Sequence, residues 1–284
     1  MTMLLLSFAA VIAGLLLLIW SADRFVDGAS LFARIAGLSP LLVGILIVGF
    51  GTSAPEMLVA SIAALEGNSG LGIGNAIGSN ISNIALILGI TAIIVPLSVK
   101  HRVVKVELPL VLGAGILAFA LLWDGTLGRM DGIILMLTLF AVMSFLTYLA
   151  LQHDGKPADT LSNAGSNHSE QSAKAGGEAE SEAAPQGLKY ALFWTIAGLL
   201  LLIVSSKLLV WGAVNIAQTF GISDLIIGLT IIAIGTSLPE LAASIISARK
   251  QQVDMAVGNV VGSNLFNTLG VLALPGLLRP DSVP

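Results

Sequence analysis

Residues 51–56 read Gly-Thr-Ser-Ala-Pro-Glu, and residues 235–240 read Gly-Thr-Ser-Leu-Pro-Glu. Each hexapeptide lies inside a long apolar stretch, so the chain places the same carboxylate twice where hydrocarbon would surround it. A glutamate in hydrocarbon is costly unless it faces a partner or a water-filled cavity, and such residues mark ion or substrate pathways. Two of them in equivalent places predict one site built by two halves.

Working outward, the 284 residues are 56% hydrophobic and only 11% charged, with a mean hydropathy of +0.95. That composition excludes an ordinary globular protein and predicts an all-α polytopic membrane protein. Stretches long enough to cross roughly 30 Å of hydrocarbon run over Met3–Trp20, Gly37–Leu65, Leu71–Leu97, Val106–Trp123, Gly132–Leu151, Leu188–Val210, Gly221–Ser247 and Met255–Leu278, eight predicted spans. The first lacks a basic leader and a small-residue cleavage site, and it has a counterpart later in the chain, so it reads as a retained helix. With no cysteine, disulfide and thiolate-metal chemistry are out, and any metal meets oxygen ligands.

Adding 184 to a position in the first half gives its partner in the second without a gap: Gly28 and Gly212, Gly37 and Gly221, Gly44 and Gly228, Glu56 and Glu240. The register continues into the next span. Gly-Asn-Ala-Ile-Gly-Ser-Asn-Ile-Ser-Asn at 74–83 aligns with Gly-Asn-Val-Val-Gly-Ser-Asn-Leu-Phe-Asn at 258–267, six of ten positions being identical. The expected organisation is a first repeat of five transmembrane helices (1–152), a disordered cytoplasmic linker (153–187) and a second repeat of three (188–284). The linker is rich in Ala, Gly, Ser and Glu and carries the entire formal charge of −4; it has too little apolar surface to fold alone. Lys100, Arg102 and Lys105, with Arg24, Arg34, Arg249 and Lys250, place one set of loops in the cytoplasm by the positive-inside rule. The Asn68–Ser69 and Trp211–Phe220 connections, free of Lys and Arg, then fall outside, and so does the N-terminus. Arg129, Arg279 and Lys207 go against the rule. Five spans before the linker invert the second repeat relative to the first, the architecture of many secondary transporters.

Pro55 and Pro239 each lack an amide proton and clash with the carbonyl four residues back, at Gly51 and Gly235, so each helix is expected to break there. Such breaks survive in membranes where they line a cavity or bind an ion; a kink made for packing alone is the plainer alternative. Thr52 and Ser53 share a helix face with Glu56, as Thr236 and Ser237 do with Glu240. In the following spans Asn75, Ser79 and Asn83 form a stripe mirrored by Asn259, Ser263 and Asn267. Every group is an oxygen donor, and hard cations such as Ca2+ take six to eight of these. Two glutamates neutralise one Ca2+ or two Na+, so a single pocket holds either set but not both. Interhelical hydrogen bonding is the plainer reading of the stripe, and Gly74/Gly78 and Gly258/Gly262 are the small-xxx-small pattern of close helix packing. Asn75, Asn80, Asn259 and Asn264 read as supporting or packing groups.

These motifs resemble those of the sodium/calcium exchanger family of the cation/Ca2+ exchanger superfamily, prokaryotic type, over residues of about 22–95 and 206–278. The resemblance implies an inverted-repeat exchanger fold of ten spans, the last two absent here because partners of the fourth and fifth would begin near 288, beyond Pro284. It implies that the second, third, seventh and eighth spans form the core and that the first and sixth slide across it. Its ion ligands map onto Thr52, Ser53, Glu56, Ser79, Asn83, Thr236, Ser237, Glu240, Ser263 and Asn267. Some relatives carry aspartate at the place of Asn83 or Asn267, so stoichiometry does not transfer. The expected function is a secondary-active antiporter exchanging Ca2+ for Na+ by alternating access at a two-glutamate midplane site in the inner (plasma) membrane, without a cofactor, an enzymatic activity or a nucleic-acid partner. A Ca2+/H+ or K+-dependent exchanger changes only the driving ion. An intramembrane enzyme with the glutamates as acid and base is the reading from another class.

Overall fold

In the computed structural model, residues 2–154, 180–223, 230–231 and 233–282 are described. They form α1 (Thr2–Ala36), α2 (Pro40–Thr52), α3 (Ala54–Leu65), α4 (Ser69–Ile94), α5 (Val103–Leu121), α6 (Arg129–Asp154), α7 (Glu180–Thr219), α8 (Ala233–Thr236), α9 (Leu238–Arg249) and α10 (Val253–Leu278). A short antiparallel pair, β1 (Thr126–Leu127) with β2 (Asp281–Ser282), ties the α5–α6 turn to the end of α10. Six helices are long and apolar enough to cross a membrane, or seven when α2 and α3, bent by 40° at their break, count as one span. The remaining expected span, Gly221–Ser247, includes residues 224–229 and 232, which lie outside the described residues, as does most of the expected 153–187 linker.

Three boundaries differ from the sequence reading, one being that α7 begins at Glu180, inside the stretch to residue 187 expected as a disordered linker. The first span was expected to end at Trp20, but α1 continues to Ala36. Its second half carries Ala22, Phe25, Val26, Ala29 and Ala33 at helical spacing, all buried, which offsets its four charged residues, Asp23, Arg24, Asp27 and Arg34. Likewise Trp211–Phe220, expected as a connection, is helix to Thr219.

The repeat is visible in the packing. α1 and α7 lie antiparallel along one another. A Cβ added at Gly14 would meet Leu209, and one at Gly198 would meet Phe25, both at 2.8 Å to the nearest backbone atom. Because Gly14 and Gly198 are 184 apart, as are Phe25 and Leu209, these are one contact made twice. Gly28 against Thr195 and Gly212 against Val11 repeat the relation. Backbone turns obey it too: Gly37 and Gly221 have φ of 65° and 75°, and Gly67 and Gln251 have φ of 83° and 62°. Gln251 is the one of the four with a side chain in a conformation that glycine adopts without strain.

The repeat breaks in one respect. α10 is buried inside the bundle, covered by α5 and α6, whereas its counterpart α4 is largely exposed. The Gly258/Gly262 pair packs as expected: a Cβ at Gly258 would lie 2.5 Å from the Leu41 carbonyl, and one at Gly262 would strike Ile45. Gly74 and Gly78, read as the matching packing pair, meet nothing within 4 Å. The stretch that would match Gly44 opposite them includes Gly228, outside the described residues.

Gly258→Ala is therefore expected to cost about 1–3 kcal/mol by overpacking, read as a lowered melting temperature in detergent. Gly113→Ala in α5, where a Cβ meets nothing within 4 Å, should be neutral or stabilising by up to about 1 kcal/mol.

Candidate cation site

The two hexapeptides fold alike. The helix breaks at Ser53 (φ −83°, ψ 0°) and again at Ser237 (φ −89°, ψ 4°), with Pro55 and Pro239 in the first turn of the helix that follows. Proline is tolerated at that position because the first amides of a helix have no partner in any case. Each glutamate thus sits in the opening turn of a half-helix, Glu56 on α3 and Glu240 on α9. The carbonyl freed by Pro239, that of Gly235, accepts a hydrogen bond from the Ser206 hydroxyl of α7 at 2.8 Å.

The stripe residues reach the same place by a widened turn. α4 is π-helical over Asn83–Leu88 and α10 over Phe266–Val271, so Asn83 and Asn267 fall at the start of equivalent irregularities. Turns of this kind are rare and cluster at functional sites. The Asn83 stretch packs against α9, which carries Glu240; the Asn267 stretch packs against α3, which carries Glu56. Each glutamate-bearing half-helix is therefore packed against the widened turn of the other repeat.

Nine of the ten candidate ligands are buried, among them Thr52, Ser53, Glu56, Asn83, Ser237, Glu240, Ser263 and Asn267 at 2% exposure or less; Ser79 is 6% exposed, and Thr236 is half-buried. The Thr52 hydroxyl lies 2.9 Å from the Val48 carbonyl, 3.2 Å from Asn259 Oδ1 and 3.4 Å from Ser263 Oγ, and it interacts with Glu240. The carboxylates of Glu56 and Glu240 are close enough to repel one another. Yet Ser53 Oγ, both oxygens of Glu56, Asn83 Nδ2, Ser237 Oγ, Glu240 Oε2 and both polar atoms of the Asn267 side chain are buried without a hydrogen-bond partner among the described residues. Buried polar groups are nearly always paired, so unpaired ones call for an explanation. Converging oxygen donors with two carboxylates and no cation among them fit a bound hard cation. No histidine or cysteine stands among these residues, and no cluster of three or more His, Cys, Asp or Glu occurs among the described residues. The donors come mostly from neutral groups, with Glu56 and Glu240 as the two acidic ones.

Asn75 and Asn259 hold the scaffold. Asn75 Nδ2 donates to the Glu56 carbonyl at 3.3 Å and Asn259 Nδ2 to the Glu240 carbonyl at 3.1 Å, and Asn259 also reaches Ser244 Oγ at 2.8 Å. The same bond is thus made in both repeats, fixing the backbone from which each carboxylate projects. Asn80 and Asn264 bond elsewhere, to Thr268 Oγ1 and the Val260 carbonyl. Ser206 and Ser244 were not singled out by the sequence; a hydroxyl in an apolar helix is too common to stand out, and only the third dimension sets them against Gly235 and Asn259.

The profile of the family described as "Sodium/calcium exchanger protein" matches residues 6–148 and 190–284. Among curated proteins, the chain is 44% identical to "Putative antiporter CaxA" of Alkalimonas amylolytica, over 96% of this chain and 81% of that protein. It is 41% identical to "Inner membrane protein YrbG" of Escherichia coli (strain K12), over 99% of this chain and 82% of that one. Solved structures of the sodium-calcium exchanger NCX_Mj superpose with a TM-score of up to 0.81 at 30% identity, covering 99% of this chain and 85% of that one.

Asn259→Ala removes two amide bonds and the partner of Thr52, whereas Asn75→Ala removes one long bond. At about 0.5–1.5 kcal/mol per hydrogen bond, Asn259→Ala should weaken Ca2+ binding roughly tenfold or more and Asn75→Ala only a few-fold, by calorimetric titration of the purified protein.

Proposed function

Because the chain belongs to the sodium/calcium exchanger family, as a multi-pass membrane cation antiporter of the Na+/Ca2+ type, we propose that Glu56 and Glu240 form one shared site that binds Ca2+ and Na+ in turn. The observation that carries this is the set of buried, unpartnered oxygens contributed by both repeats to one place. Thr52, Ser53, Ser79, Asn83, Thr236, Ser237, Ser263 and Asn267 complete the shell.

The mechanism follows from charge. Two carboxylates carry −2, which one Ca2+ or two Na+ neutralise; an empty site leaves two like charges buried together, the costliest arrangement of the three. Crossing the membrane unloaded is therefore disfavoured, and moving one ion set in requires the other to have left. This is what couples the two fluxes. The half-helices α3 and α9 point their first turns at the site, while α1 and α7, packed on one another as a pair, change position against the core so that the site opens to one face at a time. Physiologically the reading is Ca2+ export against inward Na+, with the loops carrying Lys100, Arg102 and Lys250 in the cytoplasm.

The test is radioactive Ca2+ uptake into proteoliposomes loaded with Na+, with K+-loaded and acid-loaded vesicles beside them. Uptake is expected only against internal Na+, and Glu56→Gln and Glu240→Gln should each lower it at least tenfold, since an amide leaves one buried carboxylate facing a divalent ion. Uptake driven instead by acid or by K+ overturns Na+ as the exchanged ion.

A further inference from the structure

We propose that two ion pairs, related by the repeat but reversed in sign, act as opposing latches on the two faces of the transporter: Asp23 and Asp27 with Lys250 on one face, and Lys207 with Glu66 on the other. This rests on the two-state reading above and adds the residues that set which state is favoured.

One latch is closed in this structure. Lys250 Nζ lies 2.7 Å from Asp23 Oδ1, 2.7 Å from Asp27 Oδ1 and 3.2 Å from the Asp23 carbonyl. Its three N–H donors are thus all directed at α1, from the turn that joins α9 to α10. The contact fastens α1 to the core at the end of the bundle that also carries Lys100, which pairs with Asp254 at 2.6 Å.

The register of the repeat supplies the second latch. Adding 184 to Asp23 gives Lys207, and subtracting 184 from Lys250 gives Glu66. The opposite charges thus occupy the equivalent places on α7 and after α3. Gln251 and Gly67, the next residues, share the same left-handed turn, so Lys250 and Glu66 leave their helices in the same direction. Lys207 is also the residue within a span that the positive-inside rule left unexplained.

The second latch is open here. No ion pair joins Lys207 to Glu66 among the described residues, and both are exposed. Lys207 instead borders a cavity of about 110 Å³ between α3 and α7, with Pro55, Leu58 and Val59. From Val59 to Glu66 is seven residues, roughly 10 Å along a helix at 1.5 Å per residue. α1 and α7 are antiparallel and interlocked through Gly14, Gly28, Gly198 and Gly212, so they move as one body. A shift that carries Lys207 toward Glu66 withdraws Asp23 and Asp27 from Lys250. The latches therefore exclude one another, and neither holds during passage. Arg279, whose guanidinium lies beside Gly67, is the other cation near Glu66.

Exposed ion pairs are weak, which suits a latch that must release. At the measured range for such pairs, loss of one shifts a two-state equilibrium about 2- to 5-fold. The chain has no cysteine, so Val59→Cys alone reports the crevice, read as its rate of reaction with a hydrophilic maleimide in nanodiscs free of Na+ and Ca2+. Asp23→Asn with Asp27→Asn is expected to slow the reaction about 2- to 5-fold, and Lys250→Gln to do the same should the double variant fail to fold. Adding Lys207→Gln to either should restore the rate, and Arg279→Gln should not. An unchanged rate on removing the first latch, or no restoration by Lys207→Gln, overturns the proposal. Labelling needs no transport: latch effects without Ca2+ uptake would leave this inference standing and sink the exchange reading, and uptake without latch effects would do the reverse.

Discussion

Two carboxylates buried together in an apolar bundle are the constraint on which the rest of this structure turns. Glu56 and Glu240 are at most 2% exposed, and neither has a basic side chain paired with it among the described residues. Burying a charge without a partner is tolerated only where a counter-ion or a preorganised polar shell takes its place. The surrounding features serve that need. Prolines interrupt the helices, so that each glutamate stands in a first turn where backbone dipoles favour negative charge. The π-helical turns that hold Asn83 and Asn267 pack against the half-helix of the opposite repeat. Glycines let α2 and α10 approach until their backbones touch, which draws the donors of both repeats into one small volume.

A site built from inverted halves has a further property. The two repeats carry the same groups at equivalent places, Thr52, Ser53 and Glu56 in one and Thr236, Ser237 and Glu240 in the other. The core holds its shape through Asn75, Asn259 and Ser244, which bond backbone or side chains within one repeat. The α1–α7 pair packs on it through an apolar cluster that joins Leu18, Val26 and Leu202 to Val43, Val48 and Met255, and through Lys250. Ser206, bonding to Gly235, is the point where α7 grips the break itself.

Much of this was legible in the chain. The offset of 184 residues, read from glycines and the two hexapeptides, is the same relation that the structure expresses as reciprocal contacts of Gly14 with Leu209 and Gly198 with Phe25. The chemistry of the site was legible because oxygen donors and proline in an apolar stretch have few other uses. Other features were hidden for physical reasons. A hydropathy pattern registers the oily face of α1 but not where the helix stops, since Asp23, Arg24 and Asp27 look like a boundary until their partners are seen. Arg24, for example, lies over the rings of Trp20 and Trp194 at 5.8 and 5.4 Å, so it extends the packing of α1 against α7 rather than ending it. Burial was hidden too: α4 and α10 share a sequence pattern, yet only α10 is enclosed, because enclosure depends on which neighbours a helix has.

The amides at Asn83 and Asn267 show how the repeat tunes the site's charge. An aspartate at either place would add a third negative charge within the same buried volume, and the set of ions that neutralises it would change with it. With asparagine at both, each place keeps a side-chain oxygen while the two glutamates remain the acidic residues of the set. An amide also offers N–H donors, which repel a cation, so each side chain must turn its oxygen inward and find another home for its nitrogen. Asn83 Nδ2 and Asn267 Nδ2 have none here. Both nitrogens are buried donors without an acceptor among the described residues, and such groups are rare in folded proteins.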